Sequence, residues 1–341
     1  MTPREAFAAQ AEYCRALGSP FMAQLMGLAS ERLTEDSPVG AALLNWSGDP
    51  SPTADGLPLR FAGALHALRL AGLALDGVYP PHQVDDDTLW TAVLGAMADH
   101  APRILAALQS APQTNEVRRS AAILPALATL TTLTDMPIAL YELGASGGLN
   151  LRADRFAIAT PAGVIGDPES GVRHAPEWTG APPPTRLPRI TARGGVDLSP
   201  IDPTQETGRL RLLSYLWPDQ PERLERTEAA IALARAHPAR MIAGDAAEGL
   251  ARLFDEHPEG ARAVVFHTIA WQYFPEATQS RAEEIMASAP FPVSRIALEA
   301  EGRENALIRL WPEASGAPLA LGRAGFHAEW IAWDGLSDTA L

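Results

Sequence analysis

The spacing of apolar residues changes once along this chain, and that change limits the folds open to it. Up to about residue 135 apolar side chains recur at three- and four-residue intervals, with helix start and stop signals between the runs. Thr2-Pro3 opens a first helix that Gly18 ends, and Ser19-Pro20 opens a second whose Phe21, Leu25 and Leu28 share a face. Phe61, Leu65 and Leu68 continue the pattern in a third helix, and Trp90, Val93, Leu94 and Met97 in a fourth. The acidic run Asp85-Asp86-Asp87 precedes that fourth helix, where carboxylates favour the N-terminus, and is read as a cap rather than a metal site.

After Pro137 the pattern becomes short apolar runs. Ile138 to Leu143 ends in Gly144, as a buried parallel strand feeding a turn does, and similar runs are Met241 to Ala243, Ala263 to Phe266 and Val293 to Leu298. Helical segments at 221–236 and 277–287 lie between them, so the alternation predicts an α/β layer with a parallel sheet. Ala306 to Trp311 and Ala328 to Trp333 read as an edge hairpin. The expected organisation is an all-α N-terminal domain over 1–135, then an α/β domain over 136–341. A segment at about 152–188 carries seven prolines and is expected to be an insertion of loops and short strands.

Composition narrows the chemistry. The chain has no lysine, so all 27 basic side chains are arginine. Pyridoxal phosphate enzymes, lysine Schiff-base aldolases and Walker A loops need that amine and are excluded. Cys14 is the single cysteine, which rules out an intramolecular disulfide and a cysteine-rich metal site and suits a reducing cytoplasm. The net charge of -14 argues against nucleic acid as a partner. No basic leader precedes an apolar core at the N-terminus, and Ala121 to Leu133 is too short to cross a membrane. The expectation is a cytoplasmic protein acting on a small molecule, with no membrane partner.

The most informative window is Glu142-Leu-Gly144-Ala-Ser146-Gly147-Gly148-Leu-Asn150-Leu. An acidic residue at a strand end, then small residues and an apolar helix start, lets backbone approach a nucleoside closely; tight strand–helix packing alone would also ask for the glycines. Three later segments occupy equivalent strand ends: Gly195-Val-Asp197, Gly244-Asp245-Ala246, and His267-Thr-Ile-Ala-Trp271-Gln-Tyr273. Open α/β sheets bind ligands there. Asp197 can accept ribose hydroxyls or cap the next turn, and Asp245 can read a base edge or cap the next helix. His267 is the candidate general base, with a strand-end structural histidine as the alternative. Trp271 and Tyr273 are candidate substrate walls or partial core; Asn115, Glu116, Arg119 and Arg155 are candidate substrate contacts.

In this order the motifs resemble the class I S-adenosylmethionine-dependent methyltransferases, with Ser146 replacing the middle glycine of the first. Glu142 and Asp197 lie 55 residues apart, a gap wider than the pattern usually has, which the proline-rich insertion would explain. The resemblance implies a Rossmann-like methyltransferase sheet with helices on both faces. It also implies S-adenosylmethionine as cofactor, held by Glu142, Gly144, Ser146, Gly148, Asp197, Asp245 and Ala246, and no metal. Gln113-Thr-Asn115-Glu116, Asp154-Arg155 and Trp217-Pro-Asp219-Gln220 resemble, more narrowly, an uncharacterised bacterial family, domain of unknown function twenty-three thirty-two. Three rivals stand beside this reading. Gly144-Ala-Ser146-Gly-Gly148 also fits a serine hydrolase elbow, with Asp245 and His267 or His327 following. A nicotinamide dehydrogenase fails on glycine spacing. A methyltransferase-like domain that binds a ligand or partner without turnover is the third.

Overall fold

The computed structural model describes residues 1–302 and 304–336. Seven α-helices lead the chain: α1 (Pro3–Ala16), α2 (Pro20–Arg32), α3 (Pro38–Leu44), α4 (Leu57–Leu70), α5 (Asp86–Asp99), α6 (Ala101–Leu108) and α7 (Ser120–Leu130). Their starts follow local chemistry. Thr2 and Glu5 form a reciprocal capping box on α1, and Asp85 accepts the Thr88 amide at the head of α5.

β1 (Ile138–Leu143) follows, then β2 (Ala157–Thr160), β3 (Gly163–Gly166), β4 (Arg173–His174), β5 (Glu177–Gly180) and β6 (Ile190–Asp197). Next come α8 (Glu206–Ser214), α9 (Pro221–Ala236), β7 (Arg240–Ala243), α10 (Ala246–Asp255), β8 (Arg262–Thr268) and α11 (Glu276–Ser288). The described chain closes with β9 (Val293–Glu301), β10 (Asn305–Trp311), β11 (Leu319–Ala324) and β12 (Trp330–Trp333).

Two compact units result. One comprises Met1–Thr114 with Gln205–Glu225, the other Asn115–Thr204 with the described residues from Arg226 onward. The helical run expected to reach residue 135 therefore divides. α7 is helical but buried along its whole length among residues of the second unit, because its sequence is apolar on every side. In exchange, residues 205–225 join the helical unit. There the Asp219 carboxylate accepts the Ser19 hydroxyl at 2.6 Å and the Phe21 amide at 3.0 Å, serving as the cap of α2. The core of that unit gathers Phe7, Met22, Met26, Phe61, Leu65 and Trp90.

The second unit is an α/β layer on a nine-stranded mixed sheet, in the order β5-β12-β11-β10-β9-β8-β1-β6-β7. β7, β6, β1, β8 and β9 run parallel, so successive strands are added on one side of β1 and then on the other, and the order reverses between β1 and β8. Side chains of β1 alternate faces. Ile138 and Leu140 pack with α7, whereas Ala139, Tyr141 and Leu143 pack with Leu250 and Leu253 of α10 and Met286 of α11. Such two-sided burial is why these strands read as unbroken apolar runs.

The edge hairpin expected from 306–311 and 328–333 is corrected. β11 lies between those two strands, giving an antiparallel meander β9-β10-β11-β12, and β5 adds parallel to β12. The expectation missed β11 because Leu319–Ala324 is short and Gly322 interrupts its apolar pattern. The proline-rich segment forms β2, β3 and β4, a separate three-stranded sheet, together with β5.

Candidate functional site

The turn after β1 is built by three left-handed residues, Gly144 (φ 71°), Ser146 (φ 50°) and Gly148 (φ 63°). A Cβ added to Gly144 would lie 2.6 Å from the Ala270 Cβ, and one on Gly148 would lie 2.9 Å from the Met241 sulfur. The glycines are thus required by packing as well as by conformation. The Gly144 and Ala145 amides both donate to the Val196 carbonyl, at 2.9 and 3.0 Å. Asp197 then ties the ends of β1 and β6 together: one carboxylate oxygen accepts the Ser146 amide at 2.8 Å and the other the Ser199 amide at 2.9 Å.

No α-helix starts after Gly148. Leu149–Arg155 is 3₁₀ in character with a kink at Arg152, so the expected helix N-terminus is corrected. The Arg152 guanidinium is tied to the turn that precedes this segment. It is buried and donates to the carbonyls of Gly148 at 2.6 Å and His237 at 2.7 and 2.8 Å.

Glu142 occupies an even-numbered position of β1 and therefore lies on the α7 face. It is 1 % exposed, and burial pushes its carboxyl well above the usual carboxylate range, against the pull of Arg152 and Arg119. One of its oxygens has no hydrogen-bond partner among the described residues. The same holds for two neighbours from the turn, the Ser146 hydroxyl and the Asn150 side-chain oxygen, both buried. Asn150 hydrogen bonds to Glu142 and also donates to the Glu116 carbonyl at 3.2 Å.

Asn115 and Glu116 are buried rather than on a solvated helix face, because they precede a short 3₁₀ turn, Val117–Arg119, that runs into α7. Asn115 accepts the Leu149 amide at 2.9 Å, and Arg119 donates to the carbonyls of Thr268 at 3.1 Å and Phe326 at 3.0 Å. Glu142, Gly144, Ser146, Gly148, Asn115, Glu116, Arg119 and Asp197 are therefore one neighbourhood.

The remaining candidates lie elsewhere. Asp245 caps α10, accepting the Ala247 and Glu248 amides at 2.9 and 3.2 Å, and its second oxygen accepts the Thr278 hydroxyl of α11 at 2.6 Å. Ala246 is the buried first residue of α10. His267 is corrected most sharply. Phe266 is paired with Glu142 and shares its face, so His267, one residue on, projects from the opposite face beside Val265. Its Nδ1–H donates to Glu299 at 2.6 Å and its Nε2 accepts from Arg295 at 3.0 Å. Both ring nitrogens are thus engaged in a neutral imidazole; burial lowers its pKa, against the opposing pull of Glu299. Trp271 stacks on that ring at 4.8 Å and carries the Arg295 guanidinium at 3.9 Å over its own face. Tyr273 is 74 % exposed, and Arg155 is half exposed beside Asp154 at 3.5 Å.

Asn150, Arg152, Arg295 and Glu299 were missed as structurally decisive residues. Asn150 stood inside the glycine-rich window; the others carry no local signal, because Arg295 and Glu299 act through contacts between neighbouring strands and Arg152 through carbonyls as distant in sequence as that of His237.

The fold is that of an α/β protein built on a nine-stranded mixed sheet, with buried polar side chains gathered at the end of its first strand. Residues 4–333 match the family described as an uncharacterized protein conserved in bacteria, DUF2332, and the chain belongs to that family. No curated protein matches it. Among the described residues no helix is long and apolar enough to cross a membrane, and no group of three metal-ligating side chains occurs.

Proposed function

We propose that the second unit is a Rossmann-like, methyltransferase-type domain that binds S-adenosylmethionine and acts on a small molecule. The observation that carries this reading is the set of unpartnered buried acceptors, Glu142, Ser146 and Asn150, at the carboxyl end of the first strand. Buried polar atoms without partners are rare, and each asks for a group to satisfy it. Strand ends beside the reversal of order are where open parallel sheets bind ligands.

The residues fit the cationic amino-acid end of the cofactor. Three oxygen acceptors in a buried site suit an ammonium with its three N–H donors. Glu142 and Asn150 would hold that end, Ser146 would close it, and Asp197, on the same side of the sheet, would serve the ribose. Asp245 and Ala246 are withdrawn from the base-binding role, since the Asp245 carboxylate is committed to α10 and α11. The cofactor supplies a methyl group on a sulfonium; the chain aligns it and keeps water away. His267 is withdrawn as the base, both nitrogens being engaged. The hydrolase reading loses support as well, because no base contacts the Ser146 hydroxyl among the described residues.

The test is a thermal shift with S-adenosylmethionine and S-adenosylhomocysteine on the native chain, Glu142→Gln and Asp197→Ala. Ligand binding to the folded state alone must raise the melting temperature. The expected result is a shift in the native chain that Glu142→Gln abolishes. No shift at millimolar ligand overturns the reading. Binding without methyl transfer to any member of a metabolite panel favours the non-catalytic alternative.

A further inference from the structure

The helical unit holds a cleft that its side chains leave open. It measures about 270 Å³ and lies between α4, the end of α6 and α8, all parts of that one unit. Along α8, Thr207, Leu210, Arg211 and Ser214 follow three- and four-residue spacing, so a single face of the helix lines the cleft. From α4 come only Gly63, Ala64 and Ala67. The Tyr215 ring lies against Gly63, where an added Cβ would come within 2.8 Å of its Cε1. The Tyr215 hydroxyl donates to the Ser110 carbonyl at 3.4 Å, a long bond that leaves it able to turn to a better acceptor.

Small residues on facing helices ordinarily let the helices close up. Here they leave space, and that space has a cation in its wall. The Arg211 guanidinium makes no ion pair and no hydrogen bond among the described residues, and its Nε is buried without a partner. Arg209, two residues earlier on α8, shows the usual arrangement, meeting Glu206 at 2.8 and 2.9 Å. A buried donor with nothing to accept from it lowers stability, and a guanidinium fork matches a carboxylate. Arg211 is the only charged residue lining the cleft among the described residues, so the charge to be met is a single negative one. The alanines and Leu210 call for an apolar body, and the volume lies just under the ~300–1,000 Å³ usual for ligand pockets. We propose that this cleft binds a small monocarboxylic acid with a short apolar body. Arg211 pairs with the carboxylate, the Thr207 and Tyr215 hydroxyls are further donors, and the body rests on Gly63, Ala64 and Ala67. Every residue involved belongs to the helical unit, so this site and the strand-end reading stand or fall separately.

The experiment titrates the full chain by calorimetry with sodium benzoate and sodium hexanoate, against benzamide and sodium sulfate at equal ionic strength. Saturable binding of at least one acid is expected at ~1 mM or below, the range open to so small a ligand. Benzamide, which keeps the ring and loses the charge, should not bind. Arg211→Gln should weaken binding tenfold or more, whereas Arg209→Gln, which removes the same charge from the same helix, should leave it unchanged. Ala67→Leu fills the cleft while keeping Arg211 and should also abolish binding; it decides the matter if Arg211→Gln does not fold, with circular dichroism as the check on each variant. No saturable binding of either acid, equal binding of benzamide, unaltered binding in Arg211→Gln or in Ala67→Leu, or an equal loss in Arg209→Gln each overturns the proposal. Sulfate binding tighter than either acid overturns it too, by showing an arginine that takes any anion.

Discussion

Glu142 and His267 stand at the ends of neighbouring strands but on opposite faces of the sheet, because Glu142 is level with Phe266 rather than with His267. One residue of register separates a carboxyl on the α7 face from an imidazole on the face of α10 and α11. On its own face His267 belongs to a network whose hub is Glu299, which also accepts the Ala270 amide at 3.1 and 3.2 Å and the Trp271 amide at 3.1 Å. These bonds fix a loop in which Ile269, a β-branched residue, has φ 47°.

Removing that hub should therefore be expensive. Glu299→Ala is expected to lower stability by about 3–5 kcal/mol, since it strands a buried imidazole and two backbone amides. Glu299→Gln, which still accepts from the amides, should lose only about 1–2 kcal/mol. Urea denaturation reads both, and equal losses in the two variants would contradict the described network.

Glu142 should behave in the opposite sense. Its folded pKa lies above the unfolded value of 4.5, so the stability it lends is present in acid and is lost as pH rises through the folded value. Glu142→Gln should thus exceed the native chain by about 1–3 kcal/mol at pH 8, with a smaller margin at pH 4.5. Parallel urea titrations at the two values check this; a margin that grows in acid refutes a Glu142 pKa raised by burial.

Two further histidines make the chain acid-sensitive. Burial lowers His66 to about 4 and His174 to about 3, from an ordinary 6.5. The unfolded chain therefore takes up these protons first as pH falls below 6.5, and folded stability declines. The expected loss is roughly 2 kcal/mol for each group between pH 7 and pH 5. Denaturant midpoints across that interval measure it, and His174→Phe should remove about half.

Gly144 and Gly72 separate conformation from crowding. Both have positive φ, 71° and 66°, but a Cβ at Gly72 meets nothing within 4 Å whereas one at Gly144 meets Ala270 at 2.6 Å. Gly72→Ala should lose about 1–2 kcal/mol, the left-handed penalty alone. Gly144→Ala should lose about 2–5 kcal/mol, with overpacking added. Calorimetric melting of the pair tests the difference.

These residues also mark where sequence stops informing. Ile138–Leu143 is readable to the residue, since a strand buried on both faces is apolar throughout. The closeness of Asp197 to the glycine-rich turn is readable from their shared position at strand ends. The fate of Asp245 is not, because cap and ligand contact ask for the same side chain at the same place, and only Thr278, 33 residues on, decides between them. His267 misleads for a related reason: its strand is evident, but the face it takes depends on pairing with a distant strand. β11 stays hidden because Gly322 interrupts its short apolar run, and the return of residues 205–225 to the helical unit because it depends on contacts far apart in sequence, such as those of Asp219 with Ser19 and Phe21.

The union of β5 with β12 brings together Glu177 and Trp330, partners more than 150 positions apart. During synthesis the earlier strand must wait, solvated and unmated, until the later one emerges, so the sheet's far margin is expected to be a late event of assembly. A nascent chain halted ahead of Trp330 would hold the parallel strands yet leave the insertion without its mooring.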